Sequence, residues 1–300
     1  MAKIRGKILV VWYLTFSMCI LYIAYSTMYL ASSVHLAETR LTFKPTFGPC
    51  ARMVLTTTNA AYLEMAENML TSIQLVRTPS FPNVTVIAED EQSYEYMTNL
   101  TKFHQGLIVQ KTKAGMTSSE NLKVKTKEHQ YQQFVKRRPR YVLEFLEKGY
   151  DVLFADADTF WRKNPFNDDD FKGDFDIAAH DEVDRPKTPL FCAGFVYYRP
   201  TNNTISLVRE WVKLLDTTDK NTLDQFVFNS LINRELDKNV TGGLKMKTLD
   251  PVKYPDGKLY YRVPGWRDEH INQTIVMHFN FLHELDSKVE KIKKLGWWLV

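Results

Sequence analysis

Gly149-Tyr-Asp-Val-Leu-Phe-Ala-Asp-Ala-Asp-Thr-Phe-Trp161 is the stretch that most narrows the possible folds. A short apolar run of this kind reads as a buried strand of an α/β sheet. Its C-terminal end delivers Asp156 and Asp158 to the crevice where open α/β sheets hold ligands. Carboxylate oxygens suit hard divalent cations, and two of them one residue apart can share one ion. The competing role for the pair is an N-terminal helix cap. The same spacing recurs at Asp168/Asp170 and Asp174/Asp176, so the pattern alone decides nothing. Asp168 to Asp170 follow Asn164-Pro165 and read as a solvated loop. Asp174 and Asp176 precede Ile177-Ala178-Ala179 and open a strand instead of closing one.

The first fifty residues set the compartment. Ile8 to Ala31 is 24 residues without a charge. At 1.5 Å per residue it makes a helix of about 36 Å, enough for a hydrocarbon core of about 30 Å. Lys3, Arg5 and Lys7 precede it and no lysine or arginine follows until Arg40, so residues 1–7 are expected in the cytosol and the body on the far side. A cleaved signal peptide ending near Ala31-Ser32-Ser33 is the alternative, but its apolar core is usually much shorter. Residues 32–50 read as a short stem, and 51–300 as one α/β domain. Five Asn-x-Ser/Thr sequons (Asn83, Asn99, Asn202, Asn239 and Asn272) agree with a lumenal body carrying surface loops to glycosylate. Cys50 and Cys192 are the only cysteines outside the apolar segment, so at most one internal disulfide is possible. The three N-terminal basic residues supply most of the formal net charge of +4. The body is therefore nearly neutral and carries no nucleic-acid footprint.

Met53 to Thr58 reads as the first strand, ending in small polar residues and Asn59. A helix follows through about Leu75, with Leu63, Ala66, Met69/Leu70 and Ile73 at helical spacing. Val84 to Ala88 is a second strand closing on Glu89-Asp90-Glu91. Two strand–helix units in a row indicate a mostly parallel sheet, which brings Thr57, Asn59 and Asp90 to the same edge as the aspartate pair. Residues 111–138 are polar and basic, and Lys111 to Lys127 reads as an active-site or surface loop. Lys136-Arg137-Arg138-Pro139-Arg140 either meets phosphate or is a solvated helix start. Pro139 suits a first helical turn and Gly149 a left-handed C-terminal cap, with Tyr141/Val142 and Phe145/Leu146 facing the sheet.

Cys192 to Pro200 reads as another buried strand, in which Gly194 permits either close approach of a ligand or a bulge. Ile205, Val208, Trp211/Val212 and Leu215 form the core face of the next helix. Asp224-Gln225 opens a further helix, where Asp224 either favours the helix dipole or faces the cleft. Ile275 to Leu282 is an apolar strand interrupted by His278 and Asn280. A lone histidine there is either a satisfied core residue or a third ligand to a two-carboxylate metal site.

The order of these landmarks resembles a known family. It runs Thr-Thr-x-Asn, Val-Ile-Ala-Glu-Asp, the Gly149–Pro165 segment, Ala-Gly-Phe-Val-Tyr-Tyr-Arg-Pro-Thr, Asp-Gln-x-x-x-Asn and Met-His-Phe-Asn. It is similar to the nucleotide-diphospho-sugar transferase domain of glycosyltransferase family 77, which includes alpha-1,3-xylosyl- and galactosyltransferases, over most of residues 51–298. The resemblance implies a GT-A fold, a nucleotide-sugar donor (usually a UDP-sugar), Mn²⁺ or Mg²⁺, a glycan or glycoprotein acceptor, retention of anomeric configuration, and a single-pass type II protein of the Golgi membrane. By the same analogy Asp156 contacts ribose and metal, Asp158 and His278 ligate the metal, and Thr57, Asn59 and Asp90 frame the nucleoside. Gly194, Phe195 and Asp224-Gln225 line the sugar and acceptor side, Lys288 reaches the diphosphate, and Asp224 positions the acceptor. Cys192-Ala193-Gly194 departs from the Asn-Thr-Gly common in the family, so the strand does not name the sugar.

Charge supports that reading. A diphosphate 4 Å from an aspartate is repelled by about 4 kcal/mol per charge pair at an effective dielectric of 20, and a divalent ion reverses the sign. Two rival functions fit parts of the same sequence. Phe154-Ala-Asp-Ala-Asp-Thr159 matches the nucleophile motif of haloacid-dehalogenase-type phosphatases, with Asp156 phosphorylated and Asp158 as general acid/base. A catalytically silent lumenal binding or scaffolding protein would keep the fold alone.

Overall fold

The computed structural model describes residues 51–114, 129–182, 189–219, 222–238, 241–282 and 284–300. The expected cytosolic tail, the Ile8–Ala31 span, the stem and Cys50 lie outside the described residues, as does Asn239. Among the described residues no helix is long and apolar enough to cross a membrane. Asn83, Asn99, Asn202 and Asn272 are all exposed.

In chain order the elements are β1 (Arg52–Thr58), α1 (Leu63–Val76), β2 (Asn83–Ala88), α2 (Glu91–Leu100), β3 (Leu107–Lys111), α3 (His129–Val135), α4 (Arg138–Glu147), β4 (Asp151–Ala155) and β5 (Thr159–Trp161). There follow β6 (Ile177–Asp181), β7 (Phe191–Tyr198), α5 (Asn202–Thr217), α6 (Asp224–Asp237), β8 (Met246–Thr248), α7 (Gly257–Arg262), α8 (Trp266–His270), β9 (Val276–His278) and α9 (Leu285–Lys294). Seven strands form one sheet in the order β3-β2-β1-β4-β7-β6-β8. The pairs from β3 to β4 are parallel, β7 runs antiparallel to both β4 and β6, and β8 is parallel to β6. Because β7 is flanked antiparallel on both sides, β6 points the same way as β4. The C-terminal ends of β1, β2, β4 and β6 therefore share one edge.

Alternation along the strands feeds two apolar layers, one on each face of the sheet. Val54, Leu153 and Ala155 pack into one layer with α1, while Leu55, Val152 and Phe154 pack into the other with α4 and α5. In β7 the alternation slips: Phe191 and Ala193 join the second layer, Phe195 and Tyr197 the first, and Val196 and Tyr198 the second again. The pairing register of β6 with β7 shifts at the same place. The slip falls at Gly194, so a bulge is indeed present there. It also turns Phe195 into the core against Trp161 and Tyr254. The expectation that Phe195 lines the sugar side is corrected accordingly.

Local chemistry sets the element ends. Asp90 caps α2 in a reciprocal box with Ser93. Pro139 lies in the first turn of α4, and Gly149 leaves that helix at φ 84°. Two further expectations change. Asp168 and Asp170 are half-buried and pair with Lys253 at 3.2 and 3.5 Å, leaving only Asp169 of that loop exposed. The strand expected over 275–282 is short: only Val276–His278 pair, antiparallel to β5 in a separate two-stranded sheet. Phe281 adopts φ 58°, a left-handed conformation that no strand continues through.

Candidate functional site

The common strand edge opens on a cavity of about 250 Å³. Asp156 and Asp158 follow β4, His278 ends β9, and each offers a ligand atom within 4.8 Å of the others. His278 Nε2 stands 3.2 Å from Asp158 Oδ1 and 3.7 Å from Asp156 Oδ2. One imidazole and two carboxylates suit a divalent ion such as Mn²⁺ or Mg²⁺. With Nε2 turned to the carboxylates as a ligand, Nδ1 carries the ring proton and faces Cys192 Sγ at 3.5 Å. Cys192 is a free thiol, and burial pushes its pKa well up, so it stays neutral.

The register of β5 with β9 explains why His278 arrives there. Thr159 pairs with His278, and Phe279 N donates to Asp158 O at 2.9 Å. The lack of a side chain at Gly194 makes the room. A Cβ built on it would lie 2.2 Å from Asp156 Oδ2 and 2.6 Å from His278 Cε1.

Cations balance the carboxylates. Lys288, from α9, pairs with Asp158. Arg138, at the start of α4, is buried with its guanidinium 3.5 Å from Asp156 Oδ1 and 3.3 Å from Asp224 Oδ2. The second of these is an ion pair short of hydrogen-bond geometry. Burial raises the pKa of Asp156 against the opposing pull of Arg138, with Asp158 adding to the rise. Burial also raises Asp158, but Lys288 and His278 outweigh it and hold that carboxyl well below the usual range. Asp224 is pushed up to about 6, by burial first, with Arg138 opposing. Burial would lower His278, but the attraction and hydrogen bond of Asp158, joined by the charge of Asp156, together outweigh it and raise the pKa.

Arg138, Glu182 and Asn280 are polar residues of this cavity that the sequence does not single out. Arg138 was seen only as part of a basic run. It nevertheless shares the face of Tyr141, Val142 and Phe145, which sit three, four and seven residues on. Glu182 and Asn280 were missed as site residues. Glu182 follows β6 much as Asp156 follows β4, an apolar run closing on acid. Its Oε2 accepts from Gln225 Nε2 at 2.8 Å and its Oε1 from Asn280 Nδ2 at 2.9 Å. The two amide oxygens accept from Ala193 N and Gly257 N at 3.1 and 2.9 Å, so both amides are fixed at each end.

A smaller chamber of about 70 Å³ adjoins the first, lined by Thr57, Tyr62, Phe134 and Val135. The chambers share Arg138, Asp156, Asp158 and Lys288 as a common wall. Thr57 is thus on a chamber surface, whereas Asn59 and Asp90 line neither. Asn59 Oδ1 caps the turn at Ala61. Asp90 accepts from Ala60 N at 2.8 Å and from Ser93 N at 2.7 Å. Gly194, Asp224, Gln225 and Lys288 line the larger cavity. Trp211 Nε1 donates to Asp224 O at 3.0 Å and anchors the start of α6. A wider, shallow groove of about 530 Å³ lies beside Lys113, Arg140, Glu144 and Lys148. Those charges are spent on ion pairs, Glu144 with Lys113 and Lys148, and Arg140 with Asp216, so the groove presents no convergent chemistry.

The phosphatase expectation asks Asp158 to donate a proton as well as accept one, and Lys288 and His278 favour its ionised form.

Comparison with known proteins gives the family and the fold. The profile of the family described as nucleotide-diphospho-sugar transferase matches residues 80–292. UDP-D-xylose:L-fucose alpha-1,3-D-xylosyltransferase 1 of Arabidopsis thaliana is 28% identical over 186 residues, covering 56% of this chain and 50% of its own. UDP-galactose:fucoside alpha-3-galactosyltransferase of Dictyostelium discoideum is 26% identical over 182 residues, covering 54% of this chain and 27% of its own. The chain thus matches about half or less of the length of these relatives. The galactosyltransferase LgtC, solved with donor and acceptor sugar analogues, superposes with a TM-score of 0.52 at 12% identity over 82% of this chain and 94% of that one. GlyE of Streptococcus pneumoniae TIGR4 superposes with a TM-score of 0.55 at 14% identity over 84% and 61%. At such identities these structures establish the fold, a GT-A arrangement around the mixed seven-stranded sheet.

Proposed function

Because the chain belongs to the nucleotide-diphospho-sugar transferase family, we propose that it moves a glycosyl group from a nucleotide sugar to a hydroxyl of a glycan. The observation that carries the proposal is the convergence of Asp156, Asp158 and His278 at the wall between the two chambers. The donor is a UDP-sugar, UDP-xylose or UDP-galactose by the names of the relatives, and the acceptor is a fucose-bearing glycan. Transfer proceeds with retention. The body works in the Golgi lumen behind a single type II anchor at residues 8–31, with the exposed sequons glycosylated.

Each residue has a physical task. Asp156, Asp158 and His278 hold a divalent ion, Mn²⁺ or Mg²⁺, whose chemistry when bound is to stabilise the negative charge of the leaving diphosphate. Lys288 adds a positive charge at the same wall. Arg138 fixes Asp156 on one side and Asp224 on the other. Thr57 and Tyr62 bound the chamber that takes the nucleoside. Asp224 and Gln225 meet the sugar and orient the incoming hydroxyl, and no step assigns Asp224 a covalent bond.

The test uses the full-length protein with Mn²⁺, UDP-xylose or UDP-galactose, and a methyl fucoside. Transfer by wild type and its loss in Asp158→Ala are expected. Absence of transfer from any nucleotide sugar, or equal activity in the variant, overturns the proposal. Mn²⁺-dependent UDP binding without turnover would favour the silent binding protein instead.

A further inference from the structure

We propose that the outer half of the larger cavity is an acceptor subsite for a pyranose presenting an apolar edge, with Phe226 and Phe281 as its contact surfaces. The inference rests on the transferase reading above and assigns a place and a chemistry to the acceptor.

The cavity has two characters. Its deep wall is polar, built from the buried Asp158, His278 and Asp224 and the partly exposed Asp156. Its outer wall is apolar and open, built from Leu223, Phe226, Phe281 and Leu282. Phe226 is 59% exposed, and of the exposed large hydrophobic side chains among the described residues it alone lines this cavity. It follows Asp224-Gln225 directly, so the first turn of α6 presents the polar pair and the aromatic ring to the same space.

Phe281 is held there against its own preference. An aromatic residue at φ 58° is uncommon, and such strain persists only when the surroundings impose it. Here Arg262 Nη2 donates to Phe281 O at 3.3 Å, and the Arg262 guanidinium lies 5.8 Å from the ring centroid. An exposed aromatic beside a strained aromatic is a poor use of surface unless something covers both.

A pyranose fits the pattern. It combines hydroxyls on its edge with apolar C–H faces, and a 6-deoxy sugar adds a methyl group. Aromatic faces take the apolar side, while hydroxyls reach the fixed amides of Gln225 and Asn280 and the carboxylate of Asp224. The donor cannot claim this outer region. Its diphosphate belongs at the wall shared with the nucleoside chamber, which leaves its sugar in the deep half. A protein partner is also a poor occupant, because a stable interface covers about 800 Å² on each side and this rim is four side chains wide.

The test compares methyl α-L-fucopyranoside with methyl α-L-galactopyranoside, which differ only by the hydroxyl at C6, as acceptors for the full-length protein. Wild type should prefer the 6-deoxy sugar. Phe226→Ala should raise the acceptor KM about ten-fold and erase most of that preference, with donor KM and Mn²⁺-dependent UDP affinity moving less than about two-fold. Phe226→Tyr should restore the acceptor KM. Phe281→Gly, whose backbone accepts a positive φ freely, should reproduce the acceptor defect in a folded protein. Unchanged acceptor KM in both truncations, or donor and acceptor KM rising together, overturns the subsite. A wild type that binds and transfers from no UDP-sugar overturns the transferase reading itself, and the subsite with it.

Discussion

Gly194 and Asp156 occupy each other's space. The Asp156 amide donates to Gly194 O at 2.7 Å, and a Cβ on Gly194 would fall 2.2 Å from Asp156 Oδ2. The glycine is therefore a condition for the carboxylate's position, over and above the bulge it sits in.

Gly194→Ala should displace Asp156 and His278 while leaving the sheet intact. A misplacement of about 1 Å in a reacting site costs on the order of 100-fold in rate. Transfer should fall by at least that factor, and Mn²⁺-dependent UDP affinity should drop in calorimetry while the far-ultraviolet circular dichroism is unchanged. Near-wild-type binding would show that the carboxylate has another place to stand.

Arg138→Met should destabilise the fold. It leaves the buried Asp224 and the partly buried Asp156 without the cation between them, a loss of up to about 3–5 kcal/mol for a broken buried pair. Urea denaturation at pH 7.5 measures it. The deficit should shrink at acidic pH, where protonation removes the uncompensated charge.

Asp224 predicts a slope of stability with pH. Its ordinary pKa of 3.8 rises to about 6 in the fold, first through burial. The native state thus holds a proton that the unfolded chain has lost, and this contribution is fully present below about pH 4 and gone above about pH 6. Thermal unfolding of metal-free protein should show stability falling across that window. Asp224→Asn should reduce the slope, leaving the part due to Asp156, Glu89, Asp151 and Asp170, which burial moves in the same direction. An unaltered slope would locate the titration elsewhere.

Glu182→Gln should uncouple sugar handling from nucleotide binding. A glutamine there offers one acceptor oxygen where Gln225 and Asn280 now use two. Losing a hydrogen bond to a buried charge costs about 1.5–3 kcal/mol, so kcat/KM for transfer should fall roughly 10- to 100-fold. UDP affinity should stay within about two-fold, since Glu182 lines only the larger cavity.

These residues also show what a sequence discloses. Asp156 and Asp158 were legible because an apolar strand announces where its end will lie. His278 was legible only in company, as the third ligand that two carboxylates call for. Arg138 was hidden because a basic run at a helix start resembles a solvated face, although its spacing to Tyr141, Val142 and Phe145 put it on the buried side. Glu182 required knowing that β6 runs parallel to β4, and that depends on the two antiparallel pairings of β7. Phe195 was misread because the slip at Gly194 exchanges the two faces of β7, and no local periodicity encodes such a slip.

The pairing of Lys288 with Asp158 spans 130 residues and has a consequence in time. At about 5–20 residues per second, a ribosome needs on the order of ten seconds to extend the chain from the aspartate to its lysine. Until then the strand end carries an acid that lacks the lysine half of its counter-charge, with only His278 to come shortly before it. The site is thus finished by a helix that emerges well after the strand carrying its carboxylates, so an active molecule is also one whose synthesis and docking have run through α9.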